Sequence, residues 1–249
     1  MANRPTLNGR DVWLALLALL GAWQTAALLA QRAILPAPIV VLPVLARELP
    51  RELGLHLCVS AYRVLTSIAL AIALAAPLGL LLGQSRRLNR LVAPALYVLY
   101  PIPKVVLAPI VLLLLGVGDL AKIALITLIL FFQVLVLVRD AAAAIRPELL
   151  LSVRSLGAGR RALFRFVYLP AGIPAVLTAV RQSIGTAMAV LYVAESFATN
   201  YGLGYYIYLQ GSTLIDYPRM YAGVLAMALL GLGLYFGVDA LERRLCPET

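Results

Sequence analysis

Charge is what this sequence has least of. Only 13% of its 249 residues are Asp, Glu, Lys or Arg, and 63% are apolar. Soluble domains run at about 25% charged and about 45–50% apolar. The composition therefore excludes an ordinary water-soluble domain, and a disordered chain as well. Thiols and imidazoles are equally scarce: Cys58, Cys246 and His56. With no CxxC and no Cys/His cluster, no metal site is expected. There is no G-x4-GK-[ST] phosphate loop and no HExxH. Asp119, Asp216 and Asp239 stand apart, which leaves an intramembrane enzyme without a catalytic cluster. Gly157-Ala158-Gly159-Arg160-Arg161-Ala162 imitates a dinucleotide glycine pattern, but no βαβ unit surrounds it. The net charge of +10 does not signal nucleic acid, because the charges fall between apolar runs rather than on one solvated face.

What the chain has is long uncharged runs, with a mean hydropathy of +0.94. They lie at about 12–31, 64–85, 91–115, 120–138, 172–197 and 220–238; Lys104 interrupts the third, Lys122 stands near the start of the fourth, and the fifth carries Arg181 and, near its end, Glu195. Each approaches the ~20 residues a helix needs to cross a ~30 Å hydrocarbon core. Membrane strands need only about ten and alternate in polarity. The expectation is an all-α membrane protein with six transmembrane helices in one transmembrane domain over 1–249. The first run is longer than a signal-peptide core and no small-residue cleavage site follows, so it reads as a retained span. Residues 33–46 are uncharged but carry Pro36, Pro38 and Pro43. They predict an extracytoplasmic segment over 33–62, with an interfacial helix near 44–57.

Basic residues set the orientation. With both termini cytoplasmic, inner segments hold thirteen Lys and Arg, from Arg4 to Arg244, and outer segments five. This asymmetry predicts both termini inside. It places Cys58 near the outer face and Cys246 inside, so they do not pair. The loop at about 139–170 carries six arginines against Asp140 and Glu148, more than orientation alone needs. A helix over 148–156, ended by Gly157, and another over 160–168 before Pro170 would form a projecting elbow. It suits a soluble partner or anionic lipid headgroups equally well.

Within that loop, Gly157, nine residues, then Val167-Tyr168-Leu169-Pro170 resembles the G-x9-I-x-L-P signature of ABC-importer permeases. Arg154-Ser155-Leu156-Gly157-Ala158 is similar to the family's R-T-L-G-A, while Leu151-Ser152-Val153 stands where the family has Glu-Ala-Ala. The resemblance continues over about 36–240, through Leu35-Pro36-Ala37-Pro38, Ser60-Ala61-Tyr62-Arg63-Val64 and Pro77-Leu78-Gly79 with Gly83. Pro101-Ile102-Pro103-Lys104 with Pro109, Val193-Ala194-Glu195 and Gly202-Leu203-Gly204-Tyr205 complete it. The branch it resembles includes permeases for nitrate, sulfonate, taurine and similar small, often anionic solutes.

The resemblance implies a type I importer fold in the bacterial inner membrane. It implies a second permease copy (a homodimer is the simpler expectation), two ABC ATPase subunits that bind ATP and Mg, and an extracytoplasmic solute-binding protein. The chain itself needs no cofactor and is not an enzyme. The ATPase would dock on Ser152, Arg154, Ser155, Leu156, Gly157, Ala158, Arg160 and Arg161. An ATP-independent carrier or channel is the rival, but no clear repeat relates the halves.

Ionisable groups inside spans face a cavity or a partner. Lys104, beside Pro103, together with Arg181 and Glu195, are the translocation-path candidates. The competing reading is a Lys104–Glu195 or Arg181–Glu195 ion pair that only locks helices. Tyr192, Tyr201, Tyr205, Tyr206 and Tyr208 read as an interfacial belt or as a gate. Gly79, Gly83, Gly185, Gly231, Gly233 and Gly237 are expected at close helix contacts, and His56 at the interface.

Overall fold

The computed structural model describes residues 9–197 and 199–246; the side chains of Val12 and Arg160, and Arg4 altogether, lie outside the described residues. Among the described residues every regular element is helical: α1 Gly9–Ala30, α2 Pro38–Glu48, α3 Glu52–Gln84, α4 Arg86–Leu99, α5 Ala108–Leu115, α6 Asp119–Ala143, α7 Pro147–Ser155, α8 Arg160–Leu163, α9 Leu169–Ser196, α10 Leu203–Tyr208 and α11 Tyr217–Leu245. Five stretches are long and apolar enough to cross a membrane: Trp13–Ala30, Glu52–Gln84, Asp119–Ala143, Arg161–Ser196 and Tyr217–Leu245.

The third apolar run is not a straight helix. α4 and the stretch Lys104–Leu115 meet at a bend of 78°. Pro101 and Pro103 lack an N–H and fix φ, which stops α4 at Leu99. Its other end is capped by Ser85, whose Oγ accepts from the Leu88 N–H at 3.4 Å. At about 1.5 Å per residue, the 14 residues of α4 cannot cross alone.

Contacts between α3 and α6 settle what the bent pair does. Arg63 meets Asp119, Ser67 meets Ile123, and Gly83 meets Ala142. Both sequences advance together, so α3 and α6 run parallel. The segment between them must return the chain along the bundle's full length, and the bent pair is that return. α9 runs the opposite way, with Glu195 beside Ser60 and Gly172 beside Leu80. α11 reverses again: Met188 faces Gly231, and Arg181 faces Asp239.

α6 lies at the centre, with 61% of its most apolar window buried, against 6% for α1 and α11. One core cluster joins Val64, Leu125, Ile126, Ile184 and Leu191. A second, nearer the Arg181 end, joins Leu80, Val134, Leu135, Val138, Val167 and Val180. A third packs α2 and α10 on α11 through Val41, Leu203, Tyr206 and Ala222.

The glycines divide sharply. A Cβ on Gly79 would lie 2.9 Å from the Leu135 carbonyl oxygen, and one on Gly83 2.5 Å from that of Arg139. These two let parallel α3 and α6 touch backbone to backbone. A Cβ on Gly231 would lie 3.3 Å from Met188 Cγ, but one on Gly185, Gly233 or Gly237 would meet nothing within 4 Å. The close contact expected at those last three is not made within one chain.

Two helix boundaries also differ from expectation. No helix runs over 44–57; it is divided at 49–51, where Pro50 withholds its N–H and its ring crowds the preceding turn. Conversely, Pro170 does not end the second helix of the elbow. Residues 164–168 form a π turn, with Leu169 N–H donating to the Phe164 carbonyl, and the helix continues to Ser196. The widened turn absorbs the proline's missing donor.

Candidate functional site

At one end of the bundle, α3, α6, α9 and the 199–204 turn converge on Glu195, which is fully buried. Ser60 Oγ lies 2.9 and 2.7 Å from its two carboxylate oxygens. Arg63 Nη1 donates to Oε1 at 2.8 Å, and Gly204 N–H to Oε2 at 3.0 Å. Arg63 also donates through Nε and Nη2 to Asp119 Oδ1, at 2.8 and 2.6 Å, and through Nη1 to the Tyr201 carbonyl. Gly202, at φ +123°, presses against the Glu195 carboxylate and leaves no room for a Cβ. Its N–H donates to His56 Nδ1 at 3.0 Å. His56 is therefore a buried part of this lock rather than an interfacial residue. A buried carboxylate with this many donors is held in one geometry.

Neither ion pair suggested by the sequence forms. Glu195 takes Arg63, not Lys104 or Arg181. The sequence offered a weak hint, since Arg63 and Glu195 both sit at span ends on the same side. Tyr206 is buried against His56, with ring centroids 5.4 Å apart. Tyr201, Tyr205 and Tyr208 line a cavity of about 530 Å³ above Arg63 and Asp119.

Arg181 lies near the middle of α9, on the side away from Glu195. Its Nη1 lies 3.1 Å from Asp239 Oδ1 and 2.7 Å from Glu242 Oε2, clamping α9 to the last turns of α11.

Lys104 occupies the bend after α4. Its Nζ donates to the carbonyls of Leu99, Tyr100 and Ile102 at 2.9, 2.9 and 3.2 Å. Pro101 and Pro103 interrupt the helical ladder at these carbonyls; that of Leu99 also accepts from the Ile102 N–H, at 3.4 Å. The ammonium also stands 4.6 Å above the Phe132 ring. With exposed Pro103 it lines a cavity of about 400 Å³. Gln133 and Thr186, which the sequence reading missed, line the same cavity. Their signal was polarity near the middle of otherwise apolar runs.

The elbow at 147–163 projects from the Arg181 end. α7 buries none of its residues, though Leu150 and Val153 pack against the core cluster beneath. Ser155 Oγ donates to the Ser152 carbonyl at 2.7 Å, and Gly157 turns the chain at φ +84°. Leu151 is 63% and Leu156 87% exposed. Ser152, Arg154, Ser155 and Arg161 are exposed beside them, and Ala158 is half-buried. The elbow thus leaves the predicted docking residues whose side chains are described exposed or half-buried, apart from Lys104 and Glu195.

No group of three or more His, Cys, Asp or Glu among the described residues is placed to hold a metal.

Known proteins with the same pattern are membrane components of importers. Residues 75–246 match the family described as binding-protein-dependent transport system inner membrane component. The taurine transport system permease of Escherichia coli is 29% identical over 77% of this chain and 70% of its own length. The putative aliphatic sulfonates transport permease of Bacillus subtilis is 30% identical over 85% and 77%. The formylaminopyrimidine transport permease of Halalkalibacterium halodurans is 30% identical over 90% of each. An inward-facing structure of the MetNI methionine ABC transporter superposes with a TM-score of 0.66 at 20% identity, covering 76% of this chain and 94% of that one. The chain belongs to the binding-protein-dependent inner membrane component family, and is a multi-pass permease subunit of an ATP-binding-cassette importer whose ATP hydrolysis occurs in a separate subunit.

Proposed function

We propose that two copies of this chain form a path for a small organic anion, such as a sulfonate. Six crossings lie in one transmembrane domain, the bent pair counting as one, with both termini cytoplasmic. The relatives for taurine and aliphatic sulfonates support an anion. So does Lys104, a cation beside a cavity with no carboxylate paired to it among the described residues. A solute-binding protein delivers at the Arg63 end. Two ATPase subunits, which hold ATP and Mg, dock at the Arg181 end.

The observation that carries this reading is the elbow. An apolar, arginine-flanked knob with Leu156 87% exposed is unfavourable in water and suits a protein groove. The left-handed turn at Gly157 sets its shape. Lys104, Pro103 and Arg181 would lie along or beside the path, while Glu195 serves as a lock on its outer end.

Gentle-detergent purification tests the docking. A stoichiometric ATPase is expected to stay bound. Gly157→Arg is expected to insert normally but lose both the ATPase and uptake. Normal coupling in that variant would overturn the docking assignment.

A further inference from the structure

We infer that His56 is a proton-sensitive latch on the 199–204 turn: the neutral imidazole holds the turn, and a proton on Nδ1 releases it. The ring is buried, and its Nδ1 accepts the Gly202 N–H at 3.0 Å. A ring nitrogen that accepts a hydrogen bond carries no proton, so the neutral ring holds its proton on Nε2. Nε2 lies 3.7 Å from the carboxylate of Glu52, one turn back on α3.

Three successive N–H groups lead into α10, and each has its own side-chain acceptor. Gly202 donates to His56, Leu203 to Ser60 Oγ at 2.8 Å, and Gly204 to Glu195. Serine does not titrate. Glu195 has two oxygens, with further donors in Ser60 and Arg63. His56 has one nitrogen for the task. A proton there sets two donors face to face, and the bond is lost. Gly202 is buried, so its N–H is then a shielded donor without an acceptor, which moving the turn relieves.

The groups around the ring are few. Glu52 is the carboxylate beside it, and its side chain is more than half exposed. Tyr201, Tyr205 and Tyr206 stand around the ring, with centroids 6.0, 5.9 and 5.4 Å away. Across Gly202, Glu195 is paired with Arg63, which also donates to the Tyr201 carbonyl. Beyond Tyr206, Glu48 of α2 pairs with Arg219 of α11 at 3.5 Å. His56 is the one histidine of the chain, and histidine is the side chain whose charge changes in mild acid.

Tyr201 lines the 530 Å³ cavity with Arg63 and Asp119. Release of the turn therefore disturbs the mouth at which solute is delivered, and acid slows transport. That consequence rests on the permease reading above; the latch itself does not.

Amide hydrogen exchange over 199–204, corrected for the intrinsic effect of pH, tests the latch on the permease–ATPase complex in nanodiscs. Between about pH 7.5 and about pH 5.5 the wild-type turn is expected to exchange at least about fivefold faster. His56→Asn keeps a neutral acceptor near the Nδ1 position and gains no proton, so its turn is expected to change by less than about twofold. His56→Gln replaces it if that variant fails to fold. An unchanged wild-type turn, or equal loosening in the amide variant, overturns the latch. The second readout is ATP hydrolysis by the same complexes, taken as the acid rate over the neutral rate. This ratio is expected to be at least about threefold higher in His56→Asn than in the wild type. Equal ratios overturn control of transport by the latch. A wild-type chain that retains no ATPase overturns the permease reading, and exchange on the permease alone still decides the latch.

Discussion

Arg63 Nη1 sits 2.8 Å from Glu195 Oε1, and both side chains are almost wholly buried. Between them they tie α3, α6, α9 and the 199–204 turn at one end of the bundle. Taking two charges out of water is repaid only by good geometry and further hydrogen bonds, and both are present.

Breaking this pair one-sidedly is therefore expected to be severe. Removing one partner of a buried pair costs about 3–5 kcal/mol, because the other charge is stranded. Arg63→Met and Glu195→Leu should each lower the melting temperature in detergent sharply. The double variant should be less damaged than the two losses added together. Strict additivity in that double-mutant cycle would deny the coupling.

The parallel contact of α3 and α6 makes a second prediction. Gly83→Ala places a methyl about where Ala142 Cβ and the Arg139 carbonyl already lie, each 2.5 Å away. Overpacking of this kind costs about 1–3 kcal/mol. Gly237→Ala meets nothing within 4 Å and should be neutral or mildly stabilising in the isolated chain. Folded yield by size-exclusion chromatography compares them. If the purified chain tolerates Gly83→Ala as well as Gly237→Ala, the close parallel packing is wrong.

Arg181 offers a charge-swap experiment. Arg181→Glu places a third carboxylate beside Asp239 and Glu242, and should loosen α9 from α11. Adding Glu242→Arg rebuilds an ion pair with the charges exchanged. The expected result is recovery of at least about half the lost thermal stability, a coupling typical of residues in direct contact. No recovery would mean that the clamp does not act through charge.

The long apolar helices were readable in the sequence because they depend on length and composition, which are local. The turn at Gly157 was readable for the same reason. The Arg63–Glu195 pair was not, since it joins residues 132 positions apart and only the antiparallel course of α3 and α9 brings the end of α9 to the Arg63 end of α3. The glycines were misjudged in part: at Gly79 and Gly233 the local sequence is equally apolar, and only tertiary packing separates them. Pro170 misled because a π turn lets a helix continue through a proline. Gln133 was overlooked because a single amide in an apolar run means nothing until a cavity is seen beside it.

Lys104 gives the last prediction. Its ammonium gathers three carbonyls at the proline bend, so it holds the angle between α4 and Lys104–Leu115 as well as the charge beside the cavity. Lys104→Met removes both, and should lower stability by about 1–3 kcal/mol while abolishing uptake. Lys104→Arg keeps the charge, but a planar fork cannot satisfy three carbonyls converging on one point. It is expected to retain part of the uptake and little of the stability. Equal rescue of both by arginine would mean that the bend is set by the prolines alone, with Lys104 needed only for its charge. Uptake and melting measured on the same preparations separate those two roles.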